Sequence, residues 1–125
     1  MTDAIRVAVC DDARAVKHFL RHVLEEEGDI EVVSSTSTGH DALIELAEQR
    51  PDVLLLDLVL PDVPEPEDLV RRLREQSPQT AIVLISNMPA YRLEEEARRL
   101  GAESWTTKAH KPEQLREVVR SAVRL

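Results

Sequence analysis

Short apolar runs alternate along the chain with longer segments in which apolar residues recur every three or four positions. Four clear runs and one weaker run lie at positions 5–10, 30–33, 53–56, 81–85 and, weakly, 103–107. The third and fourth runs are continuously apolar, which is typical of parallel strands that are covered on both faces. The pattern therefore predicts five strands, with buried strands at the centre.

The segments between the runs have the apolar spacing of amphipathic helices. The first segment places five apolar residues on one face: Val16, Phe19, Leu20, Val23 and Leu24. We expect this whole face, including Phe19, to be buried. His18 and His22 lie one turn apart on the opposite side of the helix, which faces solvent, and we do not interpret them as a metal pair because no further metal ligands lie near them in the sequence.

Strands that alternate with helices predict an α/β fold: a doubly wound, five-stranded parallel sheet with helices on both faces. The length of 125 residues is ordinary for one domain, so we expect a single domain over positions 1–125. In such sheets, ligands bind outside the carboxyl ends of the strands, where the strand order reverses. The residues that follow each apolar run are therefore the candidates for chemistry.

Charge and cysteine content narrow the classes of function. The chain has 16 Lys and Arg residues against 24 Asp and Glu residues, a formal charge of −8. This balance argues against nucleic acid as a direct partner and against anionic membrane surfaces. The apolar runs are too short to span a bilayer, and the single cysteine, Cys10, fits a reducing compartment. We expect a cytoplasmic protein.

Polar residues with related chemistry follow four of the five runs. Asp11 and Asp12 follow the first, Asp57 ends the third, Ser86 ends the fourth and Lys108 follows the fifth. Because the carboxyl ends of parallel strands meet at one edge, we expect these five side chains to converge. Taken singly, each has a structural alternative as a helix cap, a turn residue or a solvated lysine.

Three crowded carboxylates repel one another, and a cation relieves that repulsion. Oxygen ligands of this kind suit Mg²⁺, which keeps several of its waters. A metal beside a lysine and a hydroxyl can hold a phosphoryl group, and a carboxylate can itself be the nucleophile that accepts it. Asp57, at the end of the central apolar run, is the best candidate for that nucleophile.

Four segments, VAVCDD, VLLLDLVLPD, IVLISN and GAESWTTKA, occur in this order along the chain. In order and spacing they resemble the response-regulator receiver domain of two-component signalling, which is CheY-like (flavodoxin-like) in fold. The resemblance covers the chain from Val7 to Val123.

The resemblance implies a metal site and a phosphoacceptor. Asp12 would bind Mg²⁺ directly, Asp11 would help through water, and the backbone carbonyl of Val59 would complete the protein's ligands. Asp57 would be both a ligand and the phosphoacceptor.

The resemblance also implies a switch. Lys108 would contact the phosphoryl oxygens, Ser86 would move toward them, and Trp105 would turn inward with it. The surface that changes would comprise the last two helices and the last strand.

Three positions depart from the family pattern. Ala109 stands where a proline with a cis bond is usual, so we expect a trans bond here. Pro64-Glu65-Pro66 replaces the usual Asp-Gly and predicts a stiffer loop. Asn87 follows Ser86 where a small residue is usual, and it would either crowd the phosphoryl pocket or hydrogen-bond into it.

The implied function is that of a phosphoacceptor for a histidine kinase rather than an enzyme in its own right. The stretch 108–115 is similar to receivers joined to LuxR-type DNA-binding domains, which implies a downstream protein target or a C-terminal output domain. A homodimer through the last two helices is a further implication.

Three alternatives stay open at this stage. A degenerate receiver would act without phosphorylation. A haloacid-dehalogenase-like phosphatase would need a second Asp where Val59 stands. A flavodoxin-like nucleotide binder would need a phosphate loop where Asp11 and Asp12 stand.

Overall fold

Five parallel strands form one sheet in the computed structural model, which describes residues 3–124. The strands are β1 (Ile5–Cys10), β2 (Ile30–Thr36), β3 (Val53–Asp57), β4 (Ala81–Ser86) and β5 (Ser104–Thr107). Their spatial order is β2-β1-β3-β4-β5, and every neighbouring pair is parallel. The predicted doubly wound α/β fold is confirmed.

Five helices of the described residues connect and follow the strands. They are α1 (Arg14–Glu25), α2 (Gly39–Gln49), α3 (Pro66–Gln76), α4 (Ala90–Leu100) and α5 (Pro112–Val123). Residues of α1 and α5 pack with one face of the sheet, and residues of α2, α3 and α4 pack with the other. Every residue of β3 is buried, as its continuous apolar run predicts.

Phe19 departs from the predicted core, because it is 47% exposed. Leu20, Val23 and Leu24 of the same helix are buried, so the stripe that α1 buries is narrower than predicted. Successive helical residues are about 100° apart, which puts Phe19 at the edge of that stripe. The outer side of α1 leaves this ring in contact with solvent.

Arg116 fixes α5 against the end of α1. Its guanidinium is almost fully buried and donates to the carbonyl of Val23 at 3.1 Å. The same side chain forms ion pairs with Glu26 at 3.3 Å and Glu27 at 3.2 Å. This network joins α5 to the C-terminal end of α1 and to the turn that follows it.

The strand order reverses between β1 and β3. Chain connections leave in opposite directions on the two sides of this point, which opens a crevice at the carboxyl ends of the two strands. Cys10 pairs with Leu56 in the register, so Asp11 and Asp57 each lie one residue beyond the same rung.

Candidate functional site

Three carboxylates lie together in this crevice. One oxygen atom from each of Asp11, Asp12 and Asp57 lies within 4.8 Å of the others. Asp11 is fully buried, Asp57 is 5% exposed, and Asp12 faces solvent. The cluster is thus buried at its base and open to solvent at Asp12.

Lys108 supplies a positive charge from the loop after β5. Its Nζ lies 2.7 Å from Oδ2 of Asp11 and 3.6 Å from Oδ2 of Asp57. Its backbone N–H donates to the carbonyl of Ser86 at 2.9 Å, which anchors the loop to β4. Partial burial works against the ammonium form, but the two carboxylates outweigh it and raise the pKa of Lys108.

Backbone groups orient the two buried carboxylates. Oδ1 of Asp11 accepts from the N–H of Ala13 at 2.8 Å, and Oδ1 of Asp57 accepts from the N–H of Val59 at 3.2 Å. Burial raises the pKa of Asp57, and the nearby charges of Asp11 and Asp12 raise it further. The hydrogen bond from Val59 and the charge of Lys108 oppose this rise without cancelling it.

Neither Ser86 nor Trp105 forms a hydrogen bond with the three carboxylates within residues 3–124. Ser86 is buried, and its hydroxyl accepts from the N–H of Met88, in the loop that follows β4, at 3.1 Å. Trp105 is half-buried, lies opposite Leu84 in the sheet, and has its ring 6.5 Å from that of His110. The structure brings four of the candidate side chains together and leaves these two beside the cluster.

The departures from the family pattern lie around the site. Asn87 is exposed rather than packed into the pocket. No cis peptide bond occurs within residues 3–124, which covers the bond after Lys108.

Asp62 is a residue that the sequence did not single out. Its carboxylate accepts from the N–H of Gly39 at 2.9 Å and of His40 at 3.1 Å, at the start of α2. These hydrogen bonds lower the pKa of Asp62 and hold the loop that follows β3 against α2. Asp62 lies more than 20 positions from both of its partners in the sequence, so no local sequence pattern predicts these hydrogen bonds.

Cys10 lies beside the site, but its thiol has low reactivity. Burial raises the pKa of its thiol to about 11, and nearby carboxylates add to the rise, while Thr36 opposes it. The thiolate is therefore scarce at neutral pH.

A comparison with family models shows which family the chain belongs to. The family model described as "Response regulator receiver domain" matches residues 7–120. The chain belongs to this family. It is a CheY-like receiver domain of two-component systems.

Solved structures of similar fold agree with this assignment. The receiver domain of the putative response regulator NarL from Mycobacterium tuberculosis superimposes with a TM-score of 0.88 at 24% identity, over 98% of both chains. The receiver domain of AraT from Geobacillus stearothermophilus is 28% identical, with a TM-score of 0.81 over 99% of this chain and 95% of that one. At 24% identity, the likeness to the NarL receiver domain shows a shared fold alone.

The similar curated proteins are longer than this receiver domain. It is 30% identical over 125 residues to the transcriptional regulatory protein YxjL of Bacillus subtilis, an alignment that covers 98% of this chain and 56% of that protein. A second Bacillus subtilis regulator, YhcZ, is 29% identical and is covered over 51% of its length, against 89% of this chain. The receiver domain thus spans about half the length of these relatives.

The donor set of the site fits a hard divalent cation. All three side chains offer carboxylate oxygens, the ligands that Mg²⁺ prefers. The ammonium of Lys108 is one positive charge beside three carboxylates, which leaves an excess of negative charge that a divalent cation would offset. The exposure of Asp12 leaves room for the waters that Mg²⁺ retains.

None of the helices within residues 3–124 has the length and apolar character needed to cross a membrane.

Proposed function

We propose that this receiver domain accepts a phosphoryl group on Asp57 from the phosphohistidine of a histidine kinase. The arrangement of Asp57 carries the proposal: its carboxylate ends the central strand, lies within 4.8 Å of Asp11 and Asp12, and has the ammonium of Lys108 at 3.6 Å. A buried anionic nucleophile with a cation beside it is suited to phosphoryl transfer.

The transfer exchanges one bond for another. A carboxylate oxygen of Asp57 forms a bond to phosphorus while the P–N bond of the phosphohistidine breaks, and the electron pair of that bond returns to the imidazole, which takes up a proton. Lys108 lies where its charge can offset that of the phosphoryl oxygens. Slow hydrolysis of the acyl phosphate would reset the domain.

Mg²⁺ is the cofactor of this proposal. Asp12 and Asp57 would bind it directly, Asp11 would act through water, and the carbonyl of Val59 would complete the protein's ligands. The ion supplies charge neutralisation for the carboxylates and the incoming phosphoryl group. The three clustered carboxylates, which face the one ammonium of Lys108, support this assignment.

Switching is the second half of the proposal. A phosphoryl group adds negative charge and acceptor oxygens at Asp57. Ser86, on the strand beside Asp57, would leave its bond with Met88 to donate to these oxygens, and Trp105 would move inward with it. The surface of α4, β5 and α5 would then change.

The residues of the site also bear on the alternative functions. Receiver domains are generally signalling domains without an enzymatic activity of their own. Some relatives of this chain are named as protein-glutamate methylesterases, and the chain matches only part of their length. Val59 at the second position after Asp57 gives no support to a phosphatase. A degenerate receiver is the remaining alternative, and the complete set of carboxylates and lysine weighs against it.

The wider setting is part of the proposal. The two Bacillus subtilis relatives are named as transcriptional regulatory proteins, which supports a C-terminal output domain or a separate protein target. A single domain over 1–125, a homodimer through α4, β5 and α5, and a cytoplasmic location stay predictions. Direct contact of this domain with nucleic acid is not part of the proposal.

Incubation with acetyl phosphate and Mg²⁺ tests the proposal. We expect the intact mass of the wild type to rise by one phosphoryl group, and Asp57→Asn to remain unmodified. Asp41→Asn removes an exposed carboxylate on α2 and should be labelled like the wild type. A wild-type mass that does not change would contradict phosphoacceptor function and favour the degenerate receiver.

A further inference from the structure

The turn between β5 and α5 carries Lys108. Ala109, the next residue, is exposed and leaves the backbone freer than a proline would. Two backbone hydrogen bonds anchor the turn: Lys108 donates to the carbonyl of Ser86 at 2.9 Å, and His110 donates to the carbonyl of Thr107 at 3.2 Å. Side-chain contacts of this turn therefore matter for where the ammonium of Lys108 lies.

His110 supplies such a contact between the turn and β5. Its Nδ1 lies within hydrogen-bond distance of Oγ1 of Thr106, four positions earlier in the chain. Thr106 is fully buried, and the carbonyl of Thr107, 3.5 Å from the same hydroxyl, is too distant for a strong hydrogen bond. A buried hydroxyl is costly to leave without a partner. The imidazole therefore ties the turn to a buried point of the strand.

The ring of His110 also approaches Trp105. The two ring centres are 6.5 Å apart, within the range of aromatic pairs. Trp105 packs against the core beneath α2, α3 and α4, whereas Thr106 lies opposite Ile85, a residue of the other core. One side chain can reach residues that point to both faces because β5 is an edge strand of the sheet.

From these contacts we infer that His110 is a positioning residue for phosphoryl transfer to Asp57. Through Thr106 it fixes the turn that holds the ammonium of Lys108 3.6 Å from the acceptor carboxylate. Through its ring it holds Trp105 in the resting position. The inference rests on the proposed function and adds to it a residue that acts through Lys108 and Trp105.

The two contacts of His110 have different consequences. Phosphoryl transfer depends on charges held in fixed places, and small displacements of such groups slow a reaction strongly. The hydrogen bond to Thr106 therefore affects the rate at which Asp57 is phosphorylated. The contact with Trp105 opposes the proposed inward movement of that ring, so it affects the resting state of the switch.

Asparagine and phenylalanine at position 110 separate the two contacts. His110→Asn keeps a polar atom at the δ position that Nδ1 occupies and removes the ring. His110→Phe keeps an aromatic ring and removes the polar atom. Thr106→Val removes the same hydrogen bond from the other side, with little change in the shape of the side chain.

The rate of labelling by acetyl phosphate and Mg²⁺ tests the hydrogen bond. We expect His110→Phe and Thr106→Val each to be labelled about 3–10-fold more slowly than the wild type, and His110→Asn to be within about 2-fold of it. The double variant His110→Phe/Thr106→Val should be no slower than either single variant, because all three lack the same bond. His22→Phe, the same change at an exposed histidine of α1, is the matched control and should be labelled at the wild-type rate.

Urea unfolding of the same variants separates positioning from a loss of stability. His110→Phe leaves the buried hydroxyl of Thr106 without its partner, whereas the double variant removes that hydroxyl. We therefore expect the double variant to be more stable than His110→Phe and yet to be labelled as slowly. Labelling rates that instead follow stability across the variants would overturn the positioning role.

Trp105 is the single tryptophan of the chain and is half-buried, so its fluorescence reports the ring contact. Before labelling, acrylamide should quench Trp105 more strongly in His110→Asn than in the wild type, because the imidazole no longer covers one side of the indole. After labelling, the difference should disappear, because Trp105 has turned inward in both proteins. Equal quenching before labelling, or a difference that persists after it, would overturn the role of the ring contact.

Failure of this inference differs from failure of the proposed function. A wild type that is labelled at the same rate as His110→Phe would overturn the role of His110 alone. A double variant that is slowed by the product of the two single effects would do the same, since the two residues would then act independently. A wild type that acetyl phosphate does not label would overturn the proposed function itself.

Discussion

Asp57 is nearly buried beside two other carboxylates, with the single ammonium of Lys108 facing the group. Burial and like charge both oppose its ionisation, which is why the pKa of Asp57 is raised. A carboxyl whose pKa is higher in the folded state than in the unfolded state favours folding at low pH. That contribution is lost as the pH rises through the folded-state pKa.

Asp57→Asn should therefore stabilise the domain in metal-free buffer. We expect the free energy of unfolding at about pH 7.5 to rise by on the order of 1 kcal/mol, because the variant no longer buries a second negative charge beside Asp11. Urea unfolding in the presence of a chelator measures the change. The gain should shrink as the pH falls toward the raised pKa of Asp57, where the wild-type carboxyl takes up its proton.

Asp41→Asn provides the control at an exposed site, where we expect a change of less than about 0.5 kcal/mol. An Asp57→Asn variant that is less stable than the wild type at neutral pH would contradict this view of the cluster. It would mean that the ion pair with Lys108 outweighs the burial of the carboxylate.

Single residues also show where prediction from the sequence stops. The acids and the lysine could be identified because they directly follow apolar runs, and topology alone brings strand ends together. The exposure of Phe19 depends on how wide a stripe α1 buries against its neighbours, which the spacing of apolar residues does not define. The bonds of Asp62 join distant loops, so only the fold reveals them.

At the scale of elements, Gly39 decides how closely α2 approaches the loop after β3. A Cβ added at this position would lie 2.5 Å from Cγ2 of Val63 and 3.2 Å from Cδ2 of Leu69. Val63 belongs to the same loop as Asp62, whose carboxylate caps α2. The small residue thus lets a side chain pack where the loop is also held by hydrogen bonds.

Gly39→Ala should destabilise the domain. The better helix propensity of alanine is worth at most about 1 kcal/mol. Overpacking against a β-branched side chain costs about 1–3 kcal/mol, so we expect a net loss of about 1 kcal/mol in the free energy of unfolding. Urea denaturation of the single variant gives the value.

A double-mutant cycle with Val63→Ala provides the control, since removing the methyl groups gives the new Cβ room. The double variant should recover most of the stability that Gly39→Ala loses, with a coupling energy of about 0.5 kcal/mol or more. Additive effects of the two substitutions would show that the contact does not limit the approach of α2.

At the scale of the whole molecule, alternation of apolar runs and amphipathic segments was enough to predict the sheet, because parallel strands need crossover helices and both faces must be covered. The two cores of the structure follow directly from that arrangement. The residues at the carboxyl ends of the strands then predicted where the candidate site lies. The hydroxyl of Ser86 bonds to Met88 and the ring of Trp105 lies near that of His110, and hydrophobic periodicity does not encode such side-chain partners.

Mg²⁺ should stabilise the folded domain as a whole, because the unfolded chain does not hold the three carboxylates together. At a free concentration roughly ten times the dissociation constant, linkage gives about 1.4 kcal/mol. For a domain of this size, that corresponds to a rise of about 3–8 °C in the melting temperature. Calorimetric melts with and without Mg²⁺ measure it.

The net charge of −8 supplies a competing cause, since any salt screens repulsion within an acidic protein. The melts are therefore compared at equal ionic strength, with NaCl replacing MgCl₂. Asp57→Asn and Asp12→Asn should lose most of the additional rise, and Asp41→Asn should keep it. If all four proteins gained equally, the ion would be acting on the overall charge rather than at the carboxylate cluster.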